Sequence, residues 1–394
     1  MISANLFHTF KWIKINLFSS KLNTILTLIS LLFIFYFLTT LLSFVFFSAE
    51  WKVIDTNLRL LLIGPFPENE EWRIWASVYW ITALSGFSFA HYGSISRKIL
   101  LYSFLSIFLL MLLIEPMSNV NLFILSILSI IFFIVGYLFH SIIKIKSIYK
   151  NKMVLIGWAI TLPLVVLFLK IFGGVETTKW GGYFLNIMLA WTGIIFGFIF
   201  GLLLAIGRAS SLVVIKYSCT VYIEVIRAAP LVAWLFFAYL VIPDLLPDIF
   251  ANKVDIALRV VIVLSGFTAA YIAEIIRGGL QSVHFGQIEA AKALGMNAYQ
   301  STSLIILPQA IRAVIPALVS QFIALWKDTT LLLAAGLAFR ELLGSGKAAL
   351  SQLEFIGKYS EVYLFVALLF WIVSFSMSRF SLNFEKKLGL NKGD

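Results

Sequence analysis

The sequence is poor in cysteine and in charged residues, and each shortage excludes a class of protein. One cysteine, Cys219, occurs among 394 residues, so no disulfide framework can form. Charged residues make up 12% of the chain, about half the fraction usual in soluble domains. The four histidines lie at His8, His91, His140 and His284 and show no metal-ligand spacing. A soluble globular protein, a disulfide-stabilised domain and a histidine-based metal site are therefore all disfavoured.

The sequence is instead dominated by long apolar runs. Hydrophobic residues make up 61% of the chain, and the mean hydropathy is +0.98. This composition predicts an all-α, polytopic membrane protein, since each span needs about 20 apolar residues. We predict about ten spans, near 25–47, 75–91, 100–114, 122–140, 154–172, 183–206, 221–242, 256–276, 313–337 and 363–380.

The connections between these runs alternate in charge. Basic connections occur near the N-terminus, at Arg97-Lys98 and between Lys144 and Lys152, whereas the segment 50–73 is acidic on balance. Because lysine and arginine concentrate in cytoplasmic loops, this pattern places both ends of the chain in the cytoplasm. The net charge of +11 is explained in this way and gives no reason to expect a nucleic-acid partner.

The character of the chain changes along its length. We predict an accessory region of about four spans over residues 1–150 and a transport region over 151–394, with its core at about 180–385. In the core, Gly193, Gly197 and Gly201 recur every four residues and predict close helix packing.

A polar, alanine-rich segment at residues 281–308 interrupts the core on the cytoplasmic side. Gly295 can adopt a left-handed conformation that ends a first short helix, and a second can run from about Asn297 to the residues before Pro308. Small residues on such a compact loop favour insertion into a groove on another protein. The alternative is an amphipathic helix on the bilayer, for which the segment has few large apolar residues and little basic charge.

This segment resembles the EAA loop of ATP-binding-cassette (ABC) importer permeases. The matching residues are Glu289, Ala290, Ala291, Gly295, Ile305, Leu307 and Pro308, without a gap. The resemblance implies a type I importer permease core, whose loop fits a cleft on an ATPase subunit.

Other residues resemble the polar-amino-acid permeases of that family. They are Tyr222 to Pro230 (with Ala228 where glycine is usual), Tyr271 to Glu274, Arg277-Gly278-Gly279 and Lys327-Asp328-Thr329-Thr330-Leu331. The segments Asn57-Leu58-Arg59 and Gly64 to Pro67 are similar to the larger M-type permease of general L-amino-acid transporters.

Charged residues inside predicted spans are candidates for a substrate pathway. Each unpaired charge there costs about 2.5–3.5 kcal/mol on insertion scales, so such residues usually face a bundle interior or water. The candidates are Glu224, Arg227, Glu274, Lys327, Asp328 and Thr329. For Glu224 with Arg227, and Glu274 with Arg277, ion pairing within one helix is an equal alternative because the partners are three residues apart.

The chain has no nucleotide-binding motif of its own. The segment 344–348 resembles the end of a phosphate-binding loop, but Ala348 stands where serine or threonine is required. The resemblance therefore implies that partner ATPase subunits bind ATP and magnesium.

Our sequence-based interpretation is a permease subunit of an ATP-driven importer of polar or general L-amino acids in a bacterial inner membrane. The implied partners are two ATPase subunits, a second permease or another copy of this chain, and an external solute-binding protein. The main rival is an ion-coupled secondary transporter, which needs no EAA loop and should show matched broken helices. A membrane-bound enzyme is a third class, but the sequence offers no cluster of histidine, serine and carboxylate residues.

Overall fold

A computed structural model describes residues 12–92, 120–245, 255–334 and 340–389, and these residues are almost entirely helical. The α-helices are α1 (Lys21–Ser43), α2 (Lys52–Ile63), α3 (Trp72–Tyr92), α4 (Val120–Ile142), α5 (Ser147–Lys170), α6 (Gly182–Arg208), α7 (Val213–Ala228), α8 (Leu231–Phe236), α9 (Ile242–Leu245), α10 (Ile256–Ser282), α11 (Phe285–Ala293), α12 (Ala298–Gln300), α13 (Leu307–Asp328), α14 (Leu331–Ala334), α15 (Leu342–Leu350) and α16 (Tyr359–Leu388). Three π-helical segments extend or join them: Phe44–Ser48, Phe237–Val241 and Ser301–Ile306. A two-residue strand, β1 (Arg340–Glu341), pairs in parallel with Gly181 and Gly182.

The chain divides into two compact units, Met1–Trp51 and Lys52–Asp394. In the first unit, the hydroxyl of Ser20 caps α1 by accepting from the Asn23 N–H at 3.1 Å. No residue of α1 is buried, although its side chains are strongly apolar. A helix with an exposed apolar surface on every side is typical of a membrane span.

Six helical stretches are long and apolar enough to cross a membrane, or seven if one bent pair is counted as a span. The six are Lys21–Ser48, Ser147–Gly173, Gly182–Arg208, Ile256–Ser282, Ala298–Asp328 and Tyr359–Lys386. The polytopic, helical class is therefore confirmed, but the count of about ten spans is not. The predicted span at 100–114 and the basic connection at 97–98 lie outside the described residues.

The predicted seventh span, 221–242, is not one helix. Helices α7 and α8 meet at Pro230 with a bend of 101°. Ala229 is extended, with φ −115° and ψ 150°, because a residue that precedes proline is pushed out of the helical region. The chain therefore turns sharply just after Arg227.

Helices α6 and α10 form the centre of the second unit, as the glycine repeat in α6 predicted. Gly193, Gly197 and Gly201 are buried along one face of α6. A Cβ atom on Gly197 would come within 2.7 Å of Thr268 Cγ2, and one on Gly201 within 2.8 Å of the Ile272 Cβ. Because glycine has no side chain, the two helices can approach closely here. The prediction of a packing face is confirmed.

Helix α2 packs against α6, α15 and α16, so the segment before the second predicted span is part of the protein core. Asn57 is buried there and accepts a hydrogen bond from the Gln352 amide at 2.7 Å. The turn after α2 needs Gly64, which has φ +66° and lies against the backbone of Gly181. The two segments that resemble the M-type permease therefore serve to dock α2 on the core.

The glycine-rich segment after α14 is helical and largely buried. Residues 342–350 form the helix α15, in which Gly344, Ser345 and Gly346 are buried. A Cβ atom on Gly346 would lie 2.8 Å from Val362 Cγ1 of α16. Its glycines therefore permit tight helix packing.

Candidate functional site

The segment 281–308 forms a two-helix projection, which we call the docking loop. His284 begins α11 as its N-cap, because its Nδ1 accepts from the Gly286 N–H at 3.1 Å. Gly295 follows α11 with φ +72°, which confirms the predicted left-handed end of the first short helix. Asn297 and Gln300 then form a reciprocal capping box that starts α12.

The second helix of the docking loop does not stop before Pro308, contrary to our prediction. It passes from α12 through the π-helical segment Ser301–Ile306 into α13 without a break. In the π-helical segment the hydrogen bonds are shifted by one residue, and the Leu307 N–H donates to the Thr302 carbonyl. Pro308 follows as the second residue of α13, and the shifted hydrogen bonds of the π-helical segment accommodate its ring and its missing N–H.

The seven predicted docking residues differ in exposure. Glu289, Ala290, Gly295 and Pro308 are exposed, Ile305 and Leu307 are half-buried, and Ala291 is fully buried. Helix α11 packs on the π-helical segment 301–306, with Ala291 and Ser301 buried. Ala291 therefore holds the loop together, whereas Glu289 and Gly295 are available to a partner.

The docking loop also exposes large apolar side chains, which corrects our prediction that it has few. Leu294 is 78% exposed and Tyr299 is 80% exposed, and Phe285 and Leu304 are exposed as well. Exposed apolar side chains grouped on one projection are typical of a protein interaction site. Single apolar residues within a polar, alanine-rich segment gave no signal that they would project together.

A cluster of charges surrounds Glu274 on α10. The Arg208 guanidinium lies 3.0 Å from its Oε2, the Arg227 guanidinium lies 3.7 Å from the same atom, and Arg277 pairs with its Oε1. The second carboxylate, Glu224, accepts from Arg208 at 2.9 Å. We call these five side chains the arginine cluster; it joins the ends of α6, α7 and α10.

Part of the predicted pairing in this cluster is wrong. Glu274 does pair with Arg277 within α10, but Glu224 pairs with Arg208 and not with Arg227. Arg227 reaches across to Glu274, and its guanidinium lies 5.3 Å from the ring centre of Tyr271. Sequence reasoning missed Arg208 as a member, although an arginine that directly ends an apolar span was the available signal.

A second polar group lies around Asn186, near the start of α6. Its amide Nδ2 donates to the Thr329 hydroxyl at 2.9 Å and approaches Glu341 Oε2 at 3.4 Å. Its Oδ1 accepts from the Leu342 N–H at 2.9 Å. All three side chains are fully buried, and this asparagine hub ties α6, α13 and α15 together.

We predicted Lys327 and Asp328 to lie inside a span, but they lie at the end of α13. The helix ends at Asp328, and Lys327 is exposed while Asp328 is half-buried. The next residue, Thr329, donates to the Trp326 carbonyl at 2.7 Å and joins the asparagine hub. Sequence spacing could not show that the helix would end there.

The six candidate pathway residues thus fall into two groups at opposite ends of α6. Thr329 contacts Asn186 near the start of that helix, and Glu274 contacts Arg208 at its end. Twenty-two residue steps separate Asn186 from Arg208, so the groups lie about 33 Å apart at about 1.5 Å per residue.

Glu341 makes the asparagine hub sensitive to pH. Burial raises the pKa of its carboxyl to about 7 from the usual 4.5, while the Leu343 and Gly344 N–H groups stabilise the charged form in part. The protonated form therefore fits the folded state better. The resulting stability is fully present below about pH 4.5 and is lost as the pH rises through about 7.

We expect Glu341→Gln to flatten this pH dependence. The pKa change corresponds to at most about 3–4 kcal/mol, at about 1.4 kcal/mol per pH unit. The apparent melting temperature of the native protein should therefore fall more between pH 5 and pH 8 than that of the variant. Exposed Glu354→Gln serves as the control and should keep the native slope. Parallel curves for the native protein and Glu341→Gln would contradict the assignment.

Among the described residues, no three histidine, cysteine, aspartate or glutamate side chains are grouped as a metal site. The segment 344–348, which resembles part of a phosphate-binding loop, lies in α15 with its glycines packed against neighbouring helices. Its backbone N–H groups are therefore committed to a helix, which is not the open loop that cradles phosphates.

Comparison with known proteins places this arrangement in a family. Residues 193–390 match the family described as "Binding-protein-dependent transport system inner membrane component". The glutamate/glutamine/aspartate/asparagine transport system permease protein BztC of Rhodobacter capsulatus is 44% identical over 214 residues, which are 54% of this chain and 49% of BztC. The match therefore spans about half the length of that relative.

The inner membrane amino-acid ABC transporter permease protein YhdY of Escherichia coli K12 is 30% identical over 402 residues, covering 97% of this chain and 93% of YhdY. A crystal structure of an amino acid ABC transporter with histidines aligns to 51% of this chain and 90% of its own, at 31% identity and a TM-score of 0.44.

Proposed function

We propose that this chain, which belongs to the family of binding-protein-dependent transport system inner membrane components, imports amino acids. It is a multi-pass inner-membrane permease subunit of an ATP-driven importer. The observation that carries this function is an exposed two-helix docking loop inside the family-matched residues 193–390. The chain itself is not an enzyme, and its energy comes from partner ATPases.

We propose the following assembly around the chain. Two cytoplasmic ATPase subunits bind ATP and magnesium and receive the docking loop. The second permease is a related chain or another copy of this one, and an external solute-binding protein delivers the amino acid. The exposed Glu289 and Gly295, with Leu294 and Tyr299 beside them, supply the contact surface on the permease side.

The division of the chain is part of the proposal. Residues 1–150 form the accessory region and residues 151–394 the transport region, with the docking loop at 281–308. Helix α2 supports a close link between the two regions, because it lies in the first but packs against α6, α15 and α16 of the second.

We also propose that the two charged groups mark the ends of the substrate pathway. Lys327 and Asp328, together with the adjacent buried Thr329, lie at the external end. Glu224, Arg227 and Glu274 lie at the end that faces the docking loop. An amino acid carries both charges, so groups of both signs suit it at each end. Alternating access then consists of opening one end while the other is closed.

Reconstitution tests the energy source directly. Vesicles that contain the permeases and ATPases, with ATP inside and the solute-binding protein outside, should accumulate amino acid, and ionophores should leave the uptake unchanged. Uptake without ATP that disappears with the ion gradient would favour the ion-coupled alternative. A Walker-lysine substitution in the partner ATPase is the matched control and should abolish uptake.

A further inference from the structure

A cavity of about 400 Å³ opens beside the arginine cluster, where α6, α7 and α10 meet. Glu274, at the centre of the arginine cluster, is not among the residues that line this cavity. The polar and charged residues that line it are Arg208, Lys216, Tyr217, Thr220, Arg277 and Gln281. No carboxylate is among its lining residues, so the wall presents positive charge and hydrogen-bond donors.

The positive charge of this wall is only partly neutralised. Arg208 and Arg277 share Glu274, and Arg208 also holds Glu224. Lys216 is exposed and forms no ion pair in the parts of the chain that the structure describes. Arg227 does not line the cavity but also pairs with Glu274, so in the wall and the cluster behind it four basic side chains share two carboxylates, which leaves an excess of two positive charges.

An exposed apolar stripe leads away from the cavity along α7. Tyr217 lines the cavity, and Val221 and Val225 follow it at intervals of four residues on the same helix face. Their exposed fractions are 64%, 59% and 52%. The opposite face of α7 contributes the buried Ile223. The stripe therefore runs from a basic cavity along the first helix of the bent pair α7 and α8.

We propose that this cavity binds the headgroup of an anionic phospholipid, with an acyl chain lying along the α7 stripe. Phosphate oxygens accept hydrogen bonds from guanidinium and ammonium groups, and basic pockets between spans on the cytoplasmic side suit such headgroups. A free phosphate fits the same cations but makes no use of the stripe. The proposal rests on the proposed function only for placing this side in the cytoplasm.

Native mass spectrometry of the complete transporter tests the binding. Purified in detergent and titrated with phosphatidylglycerol or phosphatidylcholine, it should retain the anionic lipid selectively. Lys216→Gln should weaken that retention about fivefold, the change expected for about 1 kcal/mol per basic residue at a membrane surface. Lys216→Arg keeps the charge and should retain the lipid. Val221→Asn should weaken retention while leaving the cations in place.

Three results would overturn the proposal. The first is that the native transporter retains phosphatidylglycerol and phosphatidylcholine equally, and that Lys216→Gln does the same. The second is full displacement of the lipid by inorganic phosphate together with indifference to Val221→Asn, which would identify free phosphate as the ligand. The third is lipid retention by the isolated permease but not by the complete transporter, since a partner subunit would then cover the cavity.

Uptake by the same preparations separates this proposal from the proposed function. ATP-driven amino-acid uptake that persists while lipid retention is unselective would defeat the lipid site alone. Selective retention of phosphatidylglycerol in a transporter that needs no ATP would defeat the importer function and leave the lipid site standing.

Discussion

Gly295→Asp should leave the permease inserted and folded but separate it from its ATPases. A Cβ atom at Gly295 meets nothing within 4 Å, so the added side chain projects outward from the docking loop. Aspartate tolerates the left-handed backbone better than most residues do, which limits the cost to the permease itself. A charge on the docking surface, beside the exposed Leu294, would have to be desolvated in the partner's cleft. We expect co-purified ATPase and substrate-stimulated ATP hydrolysis to fall at least about tenfold, the effect of about 1.4 kcal/mol.

Two control variants separate docking from backbone strain. Gly295→Asn has the same shape without the charge and should lose less ATPase. Gly357→Asp carries the same charge on another exposed glycine with positive φ, +92°, and with open space around its Cβ. It lies between α15 and α16, away from the docking loop, and should co-purify with the ATPases normally. Equal losses in Gly295→Asp and Gly357→Asp would contradict the docking role.

Glu274→Gln should have the second large effect, on both stability and transport. Glu274 is the shared partner of Arg208, Arg227 and Arg277, and its side chain is only 23% exposed. Removing one partner of a fully buried ion pair costs about 3–5 kcal/mol, and partial exposure brings the expected cost towards about 2 kcal/mol. Three arginines would then repel one another where α6, α7 and α10 meet. We expect a lower melting temperature and a loss of uptake greater than tenfold.

Comparison with two other substitutions tests the reason for this effect. Glu224→Gln removes a carboxylate that is 57% exposed and has one arginine partner, so its stability cost should be small. Lys327→Ala, at the other end of the proposed pathway, removes an exposed side chain and should reduce uptake without lowering the melting temperature. Equal melting temperatures for native and Glu274→Gln would contradict the central position of Glu274. Unchanged uptake in Lys327→Ala would contradict a pathway role for that residue.

Local rules were sufficient for the features that depend on neighbouring residues. The four-residue glycine repeat in α6 predicted its packing face, and Gly295 predicted the end of α11, because both follow from backbone geometry. The family was also accessible, since the docking-loop pattern is carried by one continuous segment. The sequence could not predict in this way which charged side chains form ion pairs. Glu224 has a suitable arginine three residues away and nevertheless pairs with Arg208, because tertiary packing of α6 against α7 decides the contact.

Helix ends were the other source of error. Pro230 breaks the predicted seventh span, whereas Pro308 lies in the first turn of a continuing helix. The difference comes from the preceding residues: Ala229 is extended, but the π-helical turns before Pro308 shift the hydrogen bonds so that the ring is accommodated. The asparagine hub went unnoticed because Asn186, Thr329 and Glu341 are more than ten residues apart and no local pattern connects them.

The continuous helix from Ala298 to Asp328 would give the docking loop a mechanical role in the proposed assembly. Its 31 residues measure about 46 Å at about 1.5 Å per residue, and one end lies in the docking loop while the other reaches the asparagine hub. A rod of this length that tilts by about 5° about one end moves its far end by about 4 Å. In the proposed assembly, a small rotation imposed by the ATPases would thereby be amplified next to Lys327 and Asp328, at the proposed external end of the pathway, with no need for a chain of side-chain rearrangements in between.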